Sequence, residues 1–256
     1  MKIATWNVNS IRARLDRLLA WLPEHQPDVL CLQEIKVEAS EFPTAPLAQL
    51  GYEAVVSGQR SYNGVAILTK QPLEDVTAGL DDEHEDPQAR LIAGTYQGVR
   101  ILCTYMPNGS SVPSDKYDYK LAWMSRFRAY LDRHFKPDQK VVLLGDLNVA
   151  PQPIDVYDPE GWPNEPIFHI DARNALAKIA EFGLKDVVRQ HHPEPGLYSY
   201  WDYRQLAFPK NKGLRIDHIL ATAPLAERCT SANIDRASRK GDAPSDHAAI
   251  VATFDI

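Results

Sequence analysis

The chain has 256 residues, 44% hydrophobic and 24% charged, ordinary values for a globular protein and enough to bury a substantial core without disulfide or metal support. No apolar run approaches the roughly 18 residues of a membrane span, and the sequence enters a strand at Lys2 with no basic-then-apolar leader, so neither a membrane partner nor a signal peptide is expected. The net charge of −6 weighs mildly against a nucleic-acid partner.

That charge is uneven. Asp81-Asp82-Glu83-His84-Glu85-Asp86 alone holds five acids and reads as a solvated loop. The remainder is near neutral, with local basic candidates at Arg12, Arg14 and Arg17, at Lys116 and Lys120, and at Arg204, Lys210, Lys212 and Arg215. Cys31, Cys103 and Cys229 are odd in number and far apart, as expected of reduced thiols in a cytoplasmic protein, and they offer no zinc spacing.

Short apolar runs alternate with helix-like segments. Ile3 to Asn7 is a strand. Ser10 caps a helix through Trp21-Leu22, with Ile11, Leu15, Leu18, Leu19 and Leu22 on one face and Pro23 and Pro27 closing it. Val29 to Leu32, Val55 to Ser57 and Val65 to Thr69 are strands, the last two around a turn at Tyr62-Asn63-Gly64. Leu91 to Tyr96 and Val99 to Tyr105 form a hairpin across Gln97-Gly98. Ser114 to Phe135 is a long helix and Arg173 to Phe182 another, ended by Gly183. Between them lies the strand Val141 to Leu144, then a long proline-rich loop from Pro151 to Pro166, a length that usually signals function or mobility. Tyr198 to Tyr203 is strand-like, as are Leu214 to Leu220 and Ala248 to Ala252. No repeat or linker divides the chain, so one domain over 1–256 is expected.

The chemistry sits at strand ends. In Gly145-Asp146-Leu147-Asn148 a glycine lets the backbone turn, and a carboxylate and an amide follow at alternate positions. In extended chain those two project together, and core packing needs neither. Asn7 and Asn9, Gln33 and Glu34, Tyr105 and Asn108, Asp217, and Asp246-His247 repeat the pattern. A lone Asp or Asn after a strand is ordinarily a turn or cap residue. Six such ends together, mostly acidic or amide, read as one metal and phosphate site carried by loops on a rigid sheet. Oxygen-rich ligands suit a hard cation such as Mg²⁺ over Zn²⁺.

In order and spacing, Trp6-Asn7-Val8-Asn9-Ser10, Leu32-Gln33-Glu34, Tyr105-Met106-Pro107-Asn108, Gly145-Asp146-Leu147-Asn148, Arg215-Ile216-Asp217-His218 and Ser245-Asp246-His247 resemble the exonuclease III family of the endonuclease/exonuclease/phosphatase superfamily, from residue 2 to about 254. The resemblance implies an α/β four-layer sandwich: two mainly antiparallel β-sheets flanked by helices. It implies a Mg²⁺-dependent DNA phosphodiesterase of base-excision repair, with Mn²⁺ substituting, that acts as a monomer on double-stranded DNA at 3′ ends, nicks or abasic sites. It implies Glu34 as main metal ligand with Asn7 and Asp246 near the metal, and Asp146 as the group that orients or deprotonates the attacking water. Asn148, Tyr105 and Asn108 fall to phosphate or water contacts, and His247, held by Asp217, to the phosphate. Lys120 is a further substrate contact by this reading. Tyr200, Leu214 and Ile216 match the wall of the pocket for an extrahelical sugar, Leu214 standing where many members have Trp.

Two departures shift the expectation toward 3′ ends. The loop that usually brings a small residue to the cleft floor is here Pro166-Ile167-Phe168-His169, putting Ile167 or His169 at the floor. After Asn108 come Gly109, Ser110 and Ser111, where some members insert a basic residue into DNA. The competing expectations are a full apurinic/apyrimidinic endonuclease, a phosphomonoesterase or lipid phosphatase of the same superfamily, and an inert binding module. The phosphatase would want denser Lys/Arg clamps, and the inert module the loss of a centre residue.

Overall fold

The computed structural model describes residues 1–256. In chain order the elements are β1 (Lys2–Asn7), α1 (Ile11–His25), β2 (Val29–Gln33), α2 (Thr44–Gln49), β3 (Glu53–Ser57), β4 (Val65–Thr69), β5 (Glu74–Ala78), β6 (Leu91–Tyr96), β7 (Val99–Tyr105), α3 (Asp115–His134), β8 (Val141–Asp146), α4 (Ile170–Ala180), β9 (Leu184–Asp186), α5 (Val187–His191), β10 (Asp217–Thr222), α6 (Ala223–Ala226), β11 (Cys229–Asp235) and β12 (Ala249–Phe254). Two six-stranded sheets result, ordered β11-β12-β1-β2-β4-β3 and β5-β6-β7-β8-β10-β9. Only β1–β2 and β7–β8 pair in parallel; every other pairing is antiparallel.

Three apolar interfaces define four layers. Ile3, Val29, Cys31 and Ile67 of the first sheet meet Ile101, Cys103, Val142, Leu144 and Ile219 of the second. The outer face of the first sheet packs on α1 and α2 through Trp6, Leu30, Leu68, Leu18, Trp21 and Leu47. The outer face of the second packs on α3 and α4 through Leu102, Leu143, Trp123, Phe127, Leu176 and Ile179. The expected sandwich of two mainly antiparallel sheets flanked by helices is the one observed.

The period of two along each strand places the site. On β8, Val142 and Leu144 face the other sheet, so Asp146 does too. The same parity aims Asn7 on β1 (after Ile3), Gln33 on β2 (after Val29 and Cys31), Tyr105 on β7 (after Ile101 and Cys103) and Asp217 on β10 (before Ile219) into the space between sheets. The inter-sheet core thus turns polar at one end. Thr5 Oγ1 donates to Gln33 Oε1 at 3.1 Å and Gln33 Nε2 donates to Cys103 Sγ at 3.4 Å where the change occurs.

Several local expectations need correction. Helix α1 runs one turn past Leu22, with Pro23 tolerated near its end and Gln26 closing it in a left-handed conformation at φ 47°. Helix α4 starts at Ile170, earlier than Arg173, because His169 supplies the cap. Tyr198 to Tyr203 is not a strand: Tyr200 makes only single bridges, to Leu214 and to His247. Regular strand structure in the next segment begins at Asp217, not Leu214.

Gly145 sits in β8 at φ 140°, and a Cβ there would lie 1.9 Å from the Thr104 carbonyl oxygen of the neighbouring strand. Backbone cannot yield as a flexible side chain would. Gly145→Ala should therefore lose at least about 2 kcal/mol of stability. Urea unfolding measures this, and a midpoint equal to wild type would show that β7 and β8 separate more easily than their pairing suggests.

Candidate active site

Asn7 is the hub of the polar end. Its single amide nitrogen donates to Glu34 Oε1 and to Asp146 Oδ2, each at 2.9 Å, and so joins the two sheets across the cleft. Glu34 follows β2 with φ 50°, and its other oxygen, Oε2, pairs with Lys36 Nζ at 3.0 Å. Burial raises the Glu34 carboxyl, but Lys36 and the Asn7 amide outweigh it and hold it below the ordinary value. Asp146 Oδ1 accepts from the Asn148 N–H at 2.9 Å. Burial, with Asp217 and Glu34 nearby, outweighs the pull of His247 and pushes Asp146 up to about 8. Asp146 and Asp217 are register partners on β8 and β10, which is why their charges meet.

His247 closes the site from the segment before β12. Its Nδ1 lies 2.8 Å from Asp217 Oδ2, and its Nε2 lies 3.8 Å from Asp146 Oδ2. Ser199 Oγ donates to the same Asp217 oxygen at 2.6 Å and takes the N–H groups of Ile216 and Asp217. Burial works against the imidazolium, yet Asp217 and Asp146 override it and lift His247 to about 10. The Tyr200 ring lies 5.0 Å from that imidazole. Tyr105 is pushed well above the usual phenol value by burial and then by the Glu34 and Asp146 carboxylates, so it presents a neutral hydroxyl.

A cation fits this end of the sandwich. Glu34 and Asp146 offer carboxylate oxygens within 4.8 Å of each other, and His247 lies within the same radius as an imidazolium that can face a phosphate but not ligate the cation. The raised Asp146 carboxyl is what a buried acid shows when positive charge is short. Asn7 bridges two of the three. Asp246 lies outside the trio: its Oδ1 accepts from Asn9 Nδ2 at 3.0 Å. Asn9 Oδ1 in turn accepts from Lys36 Nζ at 2.5 Å, so Asp246 reaches Glu34 through a relay.

Asn148, at φ 51°, has a committed side chain: its Nδ2 donates to the Met106 carbonyl at 2.9 Å and its Oδ1 accepts from Asn108 Nδ2 at 3.1 Å. Ile167, Leu214, Ile216 and Tyr200 join Ala150, Val156 and Phe168 in a small apolar cluster under the cleft. His169 lies apart from it, capping α4 and meeting the Tyr117 hydroxyl at 2.9 Å. Beyond Tyr200 and Leu214 a cavity of about 380 Å³ opens, walled also by Tyr157, Trp162, Arg204 and Lys212.

Lys120, expected as a substrate contact, and Arg215, a basic-patch candidate, are both spent inside the fold. Lys120 is fully buried and donates to the carbonyls of Asn108, Asn148 and Pro166, and burial draws it down to about 7. It has no surface with which to touch a phosphate. Arg215 is equally buried, paired at 2.7 Å with both Asp155 and Asp186. Arg14 and Arg17 bond carbonyls of the 238–244 loop. The acidic run is a loop as expected, but Arg126 anchors it by two bonds to Asp82. Sequence reasoning missed Ser199 as the support of Asp217, Arg90 beside the Tyr105 ring at 5.1 Å, and Lys36 as partner of Glu34. Only Lys36, two residues after Glu34, carried a usable signal.

Two sheets meeting at a carboxylate, amide and imidazole cluster define a class, and residues 4–247 match the Endonuclease/Exonuclease/phosphatase family. The chain belongs to that family. Within it, the chain is 34% identical to exodeoxyribonuclease III of Haemophilus influenzae, over 99% of this chain and 100% of that one. Among solved structures, an AP endonuclease from Archaeoglobus fulgidus superposes with TM-score 0.97 at 46% identity, and a 3′-5′ exonuclease from Neisseria meningitidis with TM-score 0.96 at 41%, each covering 100% of both chains.

The raised pKa values fix a sign. Asp146 is protonated in the fold and ionised in the unfolded chain between its ordinary value of 3.8 and about 8, so its contribution to stability falls as pH rises through that window. Asp146→Asn removes this loss. In EDTA, the gain in Tm from Asp146→Asn should be larger at pH 8.5 than at pH 5. Equal gains at both would mean that Asp146 is already ionised in the metal-free fold.

Proposed function

We propose that the chain is a divalent-metal-dependent DNA phosphodiesterase of the exodeoxyribonuclease III type, working mainly on 3′ ends in base-excision repair. One observation carries it: an acid with a raised pKa, Asp146, lies between a carboxylate–amide pair, Glu34 and Asn7, and an imidazolium held by Asp217. Glu34, supported by Asn7 and the Asp246 relay, would hold Mg²⁺ or Mn²⁺, which offsets phosphate charge and stabilises the transition state. The Asp146 carboxyl would also be lowered and ionised beside such a cation, and Asp146 is then aimed to orient and deprotonate water. His247 Nε2, the ring nitrogen not tied to Asp217, donates to a phosphate oxygen. Asn148 holds Asn108 through its Oδ1, leaving the second N–H of Asn108 Nδ2 for the same phosphate, with the neutral Tyr105 hydroxyl beside it. The match to nucleases over the whole chain favours this over a lipid phosphatase, and the intact centre speaks against an inert module.

The whole chain would act as one domain and as a monomer, since every group named comes from one copy. Three unpaired thiols suit a cytoplasmic setting, and no helix is long and apolar enough to cross a membrane. DNA with a 3′ end, nick or abasic site is the partner. At the cavity Arg204 is paired with Asp202 at 2.6 Å and Lys212 is matched by Glu165, so DNA contact there would rest on the aromatic walls as much as on charge.

The cleft floor favours 3′ ends. Ile167, not His169, packs with Tyr200, Leu214 and Ile216, and a sugar swung out of a duplex needs room there. A terminal nucleotide approaches with one side free. Trimming of a recessed 3′ end should outpace incision at an internal abasic analogue, and Ile167→Gly should raise incision relative to trimming. Equal rates on the two labelled duplexes in the unmodified protein would remove the floor as the deciding feature.

The metal has its own test. Activity should vanish in EDTA and return with Mg²⁺ or Mn²⁺. Glu34→Gln should need on the order of tenfold more metal, because an amide lacks the charge that holds a hard cation. An unchanged titration would take Glu34 out of the ligand set.

A further inference from the structure

We propose that Lys120 is a positioning residue that fixes the cleft floor against the phosphate-binding loops and so sets the balance between 3′-end and internal cleavage. This rests on the reading of the floor given above. Lys120 stands on α3 with no solvent exposure. Its Nζ donates to the carbonyls of Asn108 at 3.1 Å, Asn148 at 2.7 Å and Pro166 at 2.9 Å. An ammonium has three N–H donors, and these three acceptors use them all.

The carbonyls come from three separate loops. Asn108 follows β7, Asn148 follows β8, and Pro166 precedes Ile167 of the floor. Each loop therefore carries one element of the site, and Lys120 is the knot that joins all three. Burying an ammonium is costly unless it is fully hydrogen-bonded; an apolar side chain would fill the space on α3 without that cost. What the ammonium adds is a fixed distance between the floor and the two asparagines.

Packing at the knot supports the same conclusion. Gly109 has φ 95°, and a Cβ there would meet the Lys120 Cδ at 3.0 Å and both the Pro166 Cβ and the Tyr117 Cδ2 at 3.1 Å. The Ala150 N–H donates to the Ile167 carbonyl at 2.9 Å and Asn108 Nδ2 to Asn148 Oδ1 at 3.1 Å, so the loops are tied pairwise as well. A shift of Pro166 would be felt first at Ile167, the next residue along the floor.

The test compares wild type, Lys120→Met and Lys120→Gln on the two labelled duplexes with Mg²⁺, each preparation assayed on both. The ratio of abasic incision to 3′ trimming does not depend on how much of a sample is folded. That ratio should rise on the order of tenfold in Lys120→Met, since a displacement near 1 Å has effects of that size or larger, and less in Lys120→Gln, which keeps two donors. Trimming should lose kcat with little change in KM. Hydrogen exchange should quicken in peptides spanning 164–169 and stay unchanged in β6. A parallel fall in both activities with the ratio constant, or unchanged exchange at 164–169, overturns the proposal, as does failure of both variants to fold, which would make the knot purely structural. If wild type cleaves neither duplex, the nuclease reading fails, and the exchange measurement still decides whether Lys120 fixes the floor.

Discussion

One amide group holds the two halves of this molecule in chemical register. Asn7 comes from the first sheet, Asp146 from the second, and Glu34 from the turn after β2, and the Asn7 side chain bonds both acids at 2.9 Å. The sheets pack on apolar residues over most of their length. Without a donor between them, two buried carboxylates would repel at the end where the apolar packing stops. The amide allows them to approach, and burial, with Asp217 and Glu34 nearby, still pushes Asp146 up against the pull of His247.

The second sheet's Asp217 meets an imidazole carried by the segment that leads into β12 of the first sheet. Asp217 is fully buried with one oxygen on His247 and Ser199 and the other, Oδ1, without a partner. The Asp217–His247 contact at 2.8 Å fixes the imidazole so that Nε2 points toward Asp146. The acid is pushed up and the imidazole is pushed up with it, toward about 8 and about 10. Titratable groups whose environments move them far from their solution values, gathered in one cleft, are what acid–base chemistry on a phosphodiester requires.

Much of this was legible because strand parity is rigid. Val142, Leu144 and Asp146 lie on one face by spacing alone, and so do Ile101, Cys103 and Tyr105. The long helix was legible because its caps, Ser114 and Phe135, bound an uninterrupted apolar stripe. Strand β5 was not: all five residues from Glu74 to Ala78 are exposed, so no hydrophobic alternation marks them. The strand-like aromatics of 198–203 misled because Tyr198 and Trp201 fill a small side cluster under a loop, not a ladder. Lys120 and Arg215 misled for a different reason. A cation in a sequence carries no sign of burial, and only the three carbonyls and the two acids around them reveal it.

Those buried cations explain how a long proline-rich loop serves as part of a precise site. Asp155, in the loop after the centre, accepts from Arg215 at 2.7 Å and from Arg189 at 2.5 Å through the same oxygen, while its second oxygen holds the Gln152 N–H at 3.0 Å. Arg215 continues to Asp186, whose carboxyl burial would raise but Arg215 holds well below the usual range. The Arg215 N–H donates to the Asp155 carbonyl, and Val156 bridges Leu214. The near end of the loop is thereby stitched to the strand that carries Asp217, and its far end, at Pro166, to the helix that carries Lys120. Side chains on a loop are usually placed less sharply than those on a strand. Here two internal cations lend strand-like fixity to both ends of the segment, and Ile167 inherits it.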